Sequence, residues 1–138
     1  MNDETRSPGP AGLPELIGIE AYEATDSGAS ARVPVTERIL QPYGIVHGGA
    51  YSTLAETVCS KATDDAVSAD GNTAMGQSIQ VTFLRPISEG HVNAEAEARH
   101  RGRTTWVWDV EITDDDGRLC ALAHMTIAVR PRPRSSSR

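Results

Sequence analysis

The chain has 138 residues and a formal net charge of −6, with 38% hydrophobic, 23% charged and 4% aromatic residues. This length suits one compact domain, and the balance of apolar and charged residues excludes wholesale disorder. The acidic charge argues against nucleic-acid binding. No run approaches the roughly 20 apolar residues of a membrane span. We therefore expect a cytoplasmic protein that binds neither nucleic acid nor a membrane.

Both ends of the chain are poor in apolar residues. Residues 1–12 are rich in Pro, Gly and charge, and residues 132–138 read RPRSSSR. Neither segment can bury enough surface to fold, so we expect two mobile tails around one domain of residues 13–131. The polar N-terminus also lacks the apolar core of a signal peptide.

The first half of the domain predicts short elements. LPELIGIEAYEATD is typical of a helical turn that runs into a strand, and ASARVPVT alternates as a second strand. The next segment, ERILQPYGIVHGG, contains Pro42 and Gly44 and is expected to be a loop.

One long helix is predicted from Gly49 to about Val67, because this stretch has no internal Pro or Gly and its apolar residues recur at helical spacing. Four strand-like runs separated by short turns follow, and they predict an antiparallel meander. The expected fold class is therefore α+β, with one sheet covering one long helix.

The start of this helix is the first candidate for chemistry. His47-Gly48-Gly49 lies where up to four backbone N–H groups lack intrahelical partners and the helix dipole is positive. Two glycines leave these amides open to a ligand, so the segment can hold an anion or a developing oxyanion. The alternative, which an isolated HGG favours, is an ordinary loop-to-helix turn.

Glu56 is the second candidate. It lies two turns into the helix and points away from Leu54 and Val58, which predicts a position off the sheet-facing side. A solvated glutamate is one interpretation. Its neighbours Ser52, Thr53, Cys59 and Ser60 are small and uncharged, however, which argues against a strongly solvated stripe. A second subunit could cover this stripe, and a desolvated carboxylate there could act as nucleophile or general base.

Other chemistries find less support. No two of the four histidines have zinc-ligand spacing, so no metal site is predicted, and no G-x-S-x-G motif surrounds a serine. Trp106 and Trp108 share one strand face and predict core or interface packing. Cys59 and Cys120 show no redox-motif spacing and are expected to be reduced.

The run GIVHGGAYSTLAET and the block of residues 76–133, which begins GQSIQVTFLRPISEG, resemble the hotdog-fold acyl-CoA thioesterases. The likeness covers about residues 36–134 and is strongest to the 4-hydroxybenzoyl-CoA thioesterases that use a glutamate on the central helix. It implies an antiparallel sheet wrapped around one long helix. It also implies a homodimer with active sites at the interface, with dimers paired into a homotetramer.

The resemblance assigns roles position by position. Gly48 would donate the backbone N–H that polarises the thioester carbonyl, and Glu56 would be the nucleophile or the general base. Gln41 would approach the thioester from its loop, and His47 would orient that loop. Ser60, where relatives usually carry threonine, would place a hydroxyl beside the carboxylate or the water.

The resemblance also implies a site for coenzyme A, which is part of the substrate, so no separate cofactor is expected. Arginine suits its phosphates because the guanidinium presents a fork of donors. Arg103 stands where relatives tend to have serine. The implied binding residues are Gly49, Arg85, Arg103, Thr104, Thr105, Arg130 and Arg132.

The implied function is hydrolysis of an aromatic acyl-CoA to the free acid and coenzyme A. A hotdog enoyl-CoA hydratase or dehydratase is an alternative enzyme, although the second block does not match that group. A non-catalytic acyl-CoA-binding module is an alternative of another class, and no fused DNA-binding segment is visible to support it.

Overall fold

Six strands, one long helix and one short helix make up the regular structure of residues 12–133, the part of the chain that the computed structural model describes. In chain order they are α1 (Leu13–Ile17), β1 (Glu20–Ala24), β2 (Gly28–Pro34), α2 (Gly48–Val67), β3 (Asn72–Phe83), β4 (His91–Arg101), β5 (Thr105–Thr113) and β6 (Leu119–Pro131). Single 3₁₀ turns at Glu37–Ile39 and Ser68–Asp70 lie before and after α2. The predicted tails fall almost entirely outside this range and stay predictions.

The strands form one antiparallel sheet with the order β1-β2-β4-β5-β6-β3. The predicted four-strand meander is wrong at β3, which pairs with β6, while β4 pairs with β2 and β5. The segment 84–90 does not close a hairpin, because it connects β3 to β4, three places away in the sheet. Its first residue continues the pairing with β6, since Leu84 N–H donates to Cys120 O at the start of β6. Strand β3 is therefore an edge of the sheet.

The core lies between α2 and one face of the sheet. Residues on β5 alternate, with Trp106, Trp108, Val110 and Ile112 buried, and α2 packs Leu54 and Val58 against this face. Small residues on β4 and β6 let the helix approach the sheet closely, among them Ala94, Ala96, Ala121 and Ala123. The predicted α+β hotdog arrangement is confirmed, as is the prediction that both tryptophans pack in the core or an interface.

One buried hydroxyl ties the helix to the sheet. Thr63 Oγ1 donates to Cys59 O at 2.7 Å and accepts from Trp108 Nε1 at 2.9 Å. All the groups involved are buried, so this contact fixes α2 in register on β5. Within residues 12–133, no helix combines the length and the apolar character required to cross a membrane.

Candidate active site

The start of α2 is capped by His47, whose extended backbone ends the loop and whose Nδ1 accepts from Gly49 N–H at 2.8 Å. The helix thus begins at Gly48, one residue earlier than predicted, because His47 supplies the cap. Ala50 N–H donates to His47 O. Among residues 12–133, Gly48 N–H has no acceptor, and it lies at the positive end of a 20-residue helix.

Backbone hydrogen bonds hold the loop that leads into this helix. His47 N–H donates to Ile39 O at 2.7 Å, and Val46 N–H donates to Ile87 O at 2.8 Å. These bonds fix both the cap and the preceding residue, so the direction in which Gly48 N–H points is set before any ligand binds. Such preorganisation is what an oxyanion donor requires.

Gln41 occupies the turn of the same loop. Its backbone N–H donates to Ile45 O at 2.8 Å, and its side-chain Oε1 accepts from Tyr43 N–H at 2.6 Å. Because the amide oxygen is engaged, the side-chain NH₂ is the group that remains to donate to a ligand.

Phe83 lies across the Gly48 backbone, a feature that the sequence did not reveal. A Cβ on Gly48 would lie 2.8 Å from Phe83 Cζ, and the Phe83 ring packs against Tyr51 with 5.6 Å between centroids. Tyr51 is buried, and burial raises the pKa of its hydroxyl, whereas Phe83 is 56% exposed. The open amide therefore sits beside an aromatic surface. The sequence feature that could have drawn attention to Phe83 is that it is the only phenylalanine of the chain.

Glu56 is exposed on α2, and one of its carboxylate oxygens lies close to the sheet. It lies against edge strand β3, where a Cβ on Gly76 would be 3.1 Å from Glu56 Oε1. The prediction that Glu56 points off the sheet-facing side is therefore wrong in part, since β3 curls up beside the helix. Ser60, one turn further along, is half-buried.

Gly48 and Glu56 are separated by two turns of α2. From residue 48 to residue 56 the helix rises about 12 Å at 1.5 Å per residue. Reacting groups must approach a carbonyl to roughly 3–3.5 Å. Because the Glu56 carboxylate lies beside Gly76 on β3, a second chain is the more direct source of a carboxylate next to Gly48.

The cysteines of the chain are not nucleophile candidates. Cys59 and Cys120 are free, as predicted, and both are buried. Burial raises the pKa of the Cys59 thiol to about 12, and burial also raises that of Cys120. Both are thus neutral thiols at physiological pH.

The side-chain hydroxyls near the start of α2 already donate hydrogen bonds within the helix. Ser52 and Thr53 donate to backbone carbonyls one turn back, at 3.4 and 2.8 Å. In the described part of the chain, no three His, Cys, Asp or Glu side chains are grouped so that they could hold a metal ion. Of the other carboxylates on α2, Asp64 accepts from Thr73 and Ala74, and Asp65 pairs with Lys61. Glu56 therefore remains the candidate nucleophile or base on this helix.

Most of the predicted coenzyme A residues meet at one end of β6. Arg130 Nη1 donates to Thr104 O at 2.7 Å, which joins the end of β6 to the turn between β4 and β5. Arg103 and Thr104 are exposed in this turn, and Thr105 begins β5. Arg132 follows β6 and donates its N–H to Gly71 O.

Arg85 does not join this group. It lies at the other end of β6, where its N–H donates to Cys120 O at 3.1 Å. Ten strand residues, or roughly 30 Å, separate that point from Arg130. Within one chain, the arginines predicted to bind coenzyme A thus form two separate groups.

A concavity of about 920 Å³ lies elsewhere, on the sheet face that points away from α2. Acidic residues dominate it, and two pairs lie directly opposite each other across strands, Glu95 with Glu111 and Glu97 with Asp109. Arg99 forms ion pairs with Glu97 at 3.7 Å and with Asp109 at 3.4 Å, and the acidic charge that it leaves uncompensated repels phosphate. This groove does not suit coenzyme A.

Comparison with known proteins gives one consistent result. A model of the thioesterase superfamily matches residues 43–121. The 1,4-dihydroxy-2-naphthoyl-CoA hydrolase of Listeria monocytogenes is 36% identical over 121 residues, 88% of this chain and 98% of that protein. The proofreading thioesterase EntH of Cronobacter turicensis is 36% identical over 117 residues, 85% of each chain.

Solved structures agree. The crystal structure of a mutant of thioesterase PA1618 from Pseudomonas aeruginosa has a TM-score of 0.82 at 38% identity, covering 86% of both chains. That of thioesterase HI1161 from Haemophilus influenzae has a TM-score of 0.83 at 32% identity, covering 89% of this chain and 85% of that one.

Proposed function

The chain belongs to the thioesterase superfamily, and we propose that it hydrolyses an aromatic acyl-CoA, of the 4-hydroxybenzoyl type, to the free acid and coenzyme A. One observation carries the proposal. The open amide of Gly48 lies at the positive end of α2 beside an aromatic surface, and a carboxylate lies two turns along the same helix.

Gly48 would stabilise the charge that develops on the thioester oxygen. Its N–H is fixed by the His47 cap and shielded on one side by Phe83, so it needs little reorganisation when the oxyanion forms. A donor placed in this way typically contributes a factor of about 10²–10³ in kcat. The free NH₂ of Gln41 is a second donor near the same loop.

Glu56 would act on the thioester carbon in one of two ways. As a nucleophile, its carboxylate forms an anhydride with the acyl group and expels the coenzyme A thiolate, and water then hydrolyses the anhydride. As a general base, it takes a proton from the water that attacks the carbonyl directly. Ser60 would hold the water or the carboxylate through its hydroxyl.

The rise of about 12 Å between Gly48 and Glu56 favours a second subunit, and the edge of the sheet at β3 offers the surface for it. Strand β3 has 12 residues and exposes apolar side chains, including Met75, Ile79 and Phe83. We propose that two chains pair along β3, so that Gly48 of one protomer faces Glu56 of its partner. Pairing of two such dimers would give a homotetramer.

This pairing also accounts for the two groups of arginines. Antiparallel pairing of β3 with its copy brings the Phe83 end of one strand close to the Asn72 end of the other. Arg85 follows the first end, and Arg132 lies beside the second through its bond to Gly71 O. Arginines of both protomers would then converge on one coenzyme A molecule.

The aromatic nature of the acyl group is supported by the Phe83 and Tyr51 rings beside Gly48. Offset aromatic contacts favour a ring in the substrate over an alkyl chain of similar area. The name of the Listeria relative, a naphthoyl-CoA hydrolase, points to the same class of substrate.

The test is thiol release from benzoyl-, 4-hydroxybenzoyl-, 1,4-dihydroxy-2-naphthoyl-, hexanoyl- and palmitoyl-CoA, ranked by kcat/KM. We expect the aromatic substrates to rank first, and Glu56→Gln to lower kcat by about 10² or more. Glu95→Gln, which makes the same change on the opposite face of the sheet, is the matched control.

Unchanged turnover in Glu56→Gln would refute the proposed mechanism, and a preference for palmitoyl-CoA would refute the substrate class. A change in enoyl-CoA absorbance without thiol would identify a hydratase instead. Binding without hydrolysis across the panel would identify a binding module.

A further inference from the structure

Strand β3 changes its register where it passes Glu56. Gly76 pairs with Ile127 on β6, whereas Ser78 pairs with the adjacent Thr126, so Gln77 is an extra residue in a β-bulge. The bulge lies on the edge strand, beside the candidate catalytic carboxylate. Bulges are over-represented at such edges and next to active sites, where they re-aim side chains.

The bulge reverses which residues of β3 face α2. Before it, Gly76 lies opposite the buried Ile127, so even-numbered positions face the helix. After it, Ile79 and Phe83 lie opposite the buried Met125 and Ala121, so odd-numbered positions do.

A strand without a bulge could not turn both Gly76 and Phe83 towards α2. With uninterrupted alternation, the parity that turns Gly76 towards α2 would turn Phe83 to the opposite face. The bulge at Gln77 therefore allows Gly76 to face Glu56 while Phe83 covers Gly48. One extra residue sets the geometry at both candidate catalytic groups.

The absence of a side chain at position 76 gives the Glu56 carboxylate its space. A Cβ there would lie 3.1 Å from Glu56 Oε1, 3.6 Å from Glu56 Cδ and 2.8 Å from Met125 Cε. Glycine in a strand interior lowers stability and often marks the close approach of another group. Here two groups approach the glycine, the carboxylate of Glu56 and the end of the flexible Met125 side chain.

We propose that Gly76, held in place by the bulge at Gln77, is a positioning residue that seats the carboxylate of Glu56 against the sheet edge. The proposal rests on the proposed catalytic role of Glu56. A methyl group at position 76 displaces the carboxylate by a few tenths of an ångström, a shift comparable to the roughly 0.5 Å within which catalytic groups must be held.

The test is steady-state kinetics of Gly76→Ala with the best substrate of the panel. We expect kcat to fall about tenfold with KM nearly unchanged, because the methyl moves a reacting group and leaves the coenzyme A residues in place. Ser78→Thr adds one methyl group on the opposite face of the same strand and should keep wild-type kcat. Gly76→Ala/Met125→Leu relieves the contact with Met125 Cε and should stay impaired.

A double-mutant cycle separates positioning from general damage. Glu56→Asp withdraws the carboxylate by one methylene, which leaves room for the added methyl. Gly76→Ala should therefore lower kcat by a smaller factor in the Glu56→Asp background than in the wild type.

Wild-type kcat in Gly76→Ala would overturn the proposal, as would an equal fold-loss in both backgrounds. Loss of the wild-type oligomer by sedimentation, or recovery of kcat in Gly76→Ala/Met125→Leu, would also overturn it, since the methyl would then act on assembly or core packing. Failure of the proposed function is distinct, because Glu56→Gln alone would then remain active.

Discussion

A site shared between subunits can be tested by removing one catalytic group from each chain. Gly48→Pro removes the backbone N–H and keeps the helix, since Gly48 is the first helical residue, a position that proline favours. His47 already has the extended backbone, with ψ 136°, that a residue before proline requires. Glu56→Gln removes the carboxylate with little change in size.

The two variants should restore activity when mixed. Each homodimer lacks one group at both sites, so we expect either variant alone to show about 1% of wild-type kcat or less. In a random one-to-one mixture, about half of the dimers are mixed, and each has one site with both native groups. The mixture should thus reach about a quarter of wild-type activity.

The assay is thiol release after co-expression of the two variants with different affinity tags, followed by isolation of doubly tagged dimers. A dimer with one chain of each kind should show about half of wild-type activity. In doubly tagged tetramers built from random dimers, about four in seven dimers are of this kind, so that fraction should show about 30% of wild-type activity. Gly48→Ala is the control, because it also places a Cβ against Phe83 but keeps the N–H. A doubly tagged dimer as inactive as its parents would refute the shared site.

Three further outcomes follow from particular contacts. Thr63→Val should lower the unfolding midpoint by roughly 3–10 °C, because it leaves Trp108 Nε1–H buried without an acceptor; an unchanged calorimetric midpoint would contradict this. Burial opposes ionisation of Asp114, but hydrogen bonds and charge from Arg118 lower its pKa overall. Its carboxylate thus stabilises the fold above the ordinary carboxyl value of 3.8, and this stability is lost as pH falls through the depressed folded value. Asp114→Asn should unfold at a lower temperature than the wild type at pH 7, and melting curves with the same gap at about pH 2.5 would disprove the linkage. Phe83→Leu should lower kcat/KM for benzoyl-CoA about 2- to 10-fold relative to hexanoyl-CoA, and an unchanged ratio would remove the argument for an aromatic substrate.

Local pattern was sufficient to predict most elements and to select the candidate site residues, whose roles stay predictions. Helix α2 was predictable because its apolar spacing is regular, and the HGG start and Glu56 attracted attention as residues with suitable chemistry. Strand order was not predictable in the same way, since alternation shows that β3 is a strand but does not show which strand it pairs with. The result was a meander in place of an edge strand beside β6.

The contacts that shape the site depend on that missing information. Phe83 covers Gly48, and Gly76 faces Glu56, only because β3 contains a bulge, and a bulge is a property of the pairing with β6. Likewise, the separation of Arg85 from Arg130 follows from the length of β6 and could not be seen from composition.

The burial of both cysteines affects how the protein tolerates its own product. Coenzyme A is a thiol, and its oxidised forms exchange with protein thiolates to give mixed disulfides. With a pKa of about 12, Cys59 is ionised in roughly one molecule in 10⁵ at pH 7, and it is inaccessible as well. Cys120 is buried in the same core. An enzyme that liberates a thiol in each turnover therefore presents no reactive sulfur on which that thiol could become trapped.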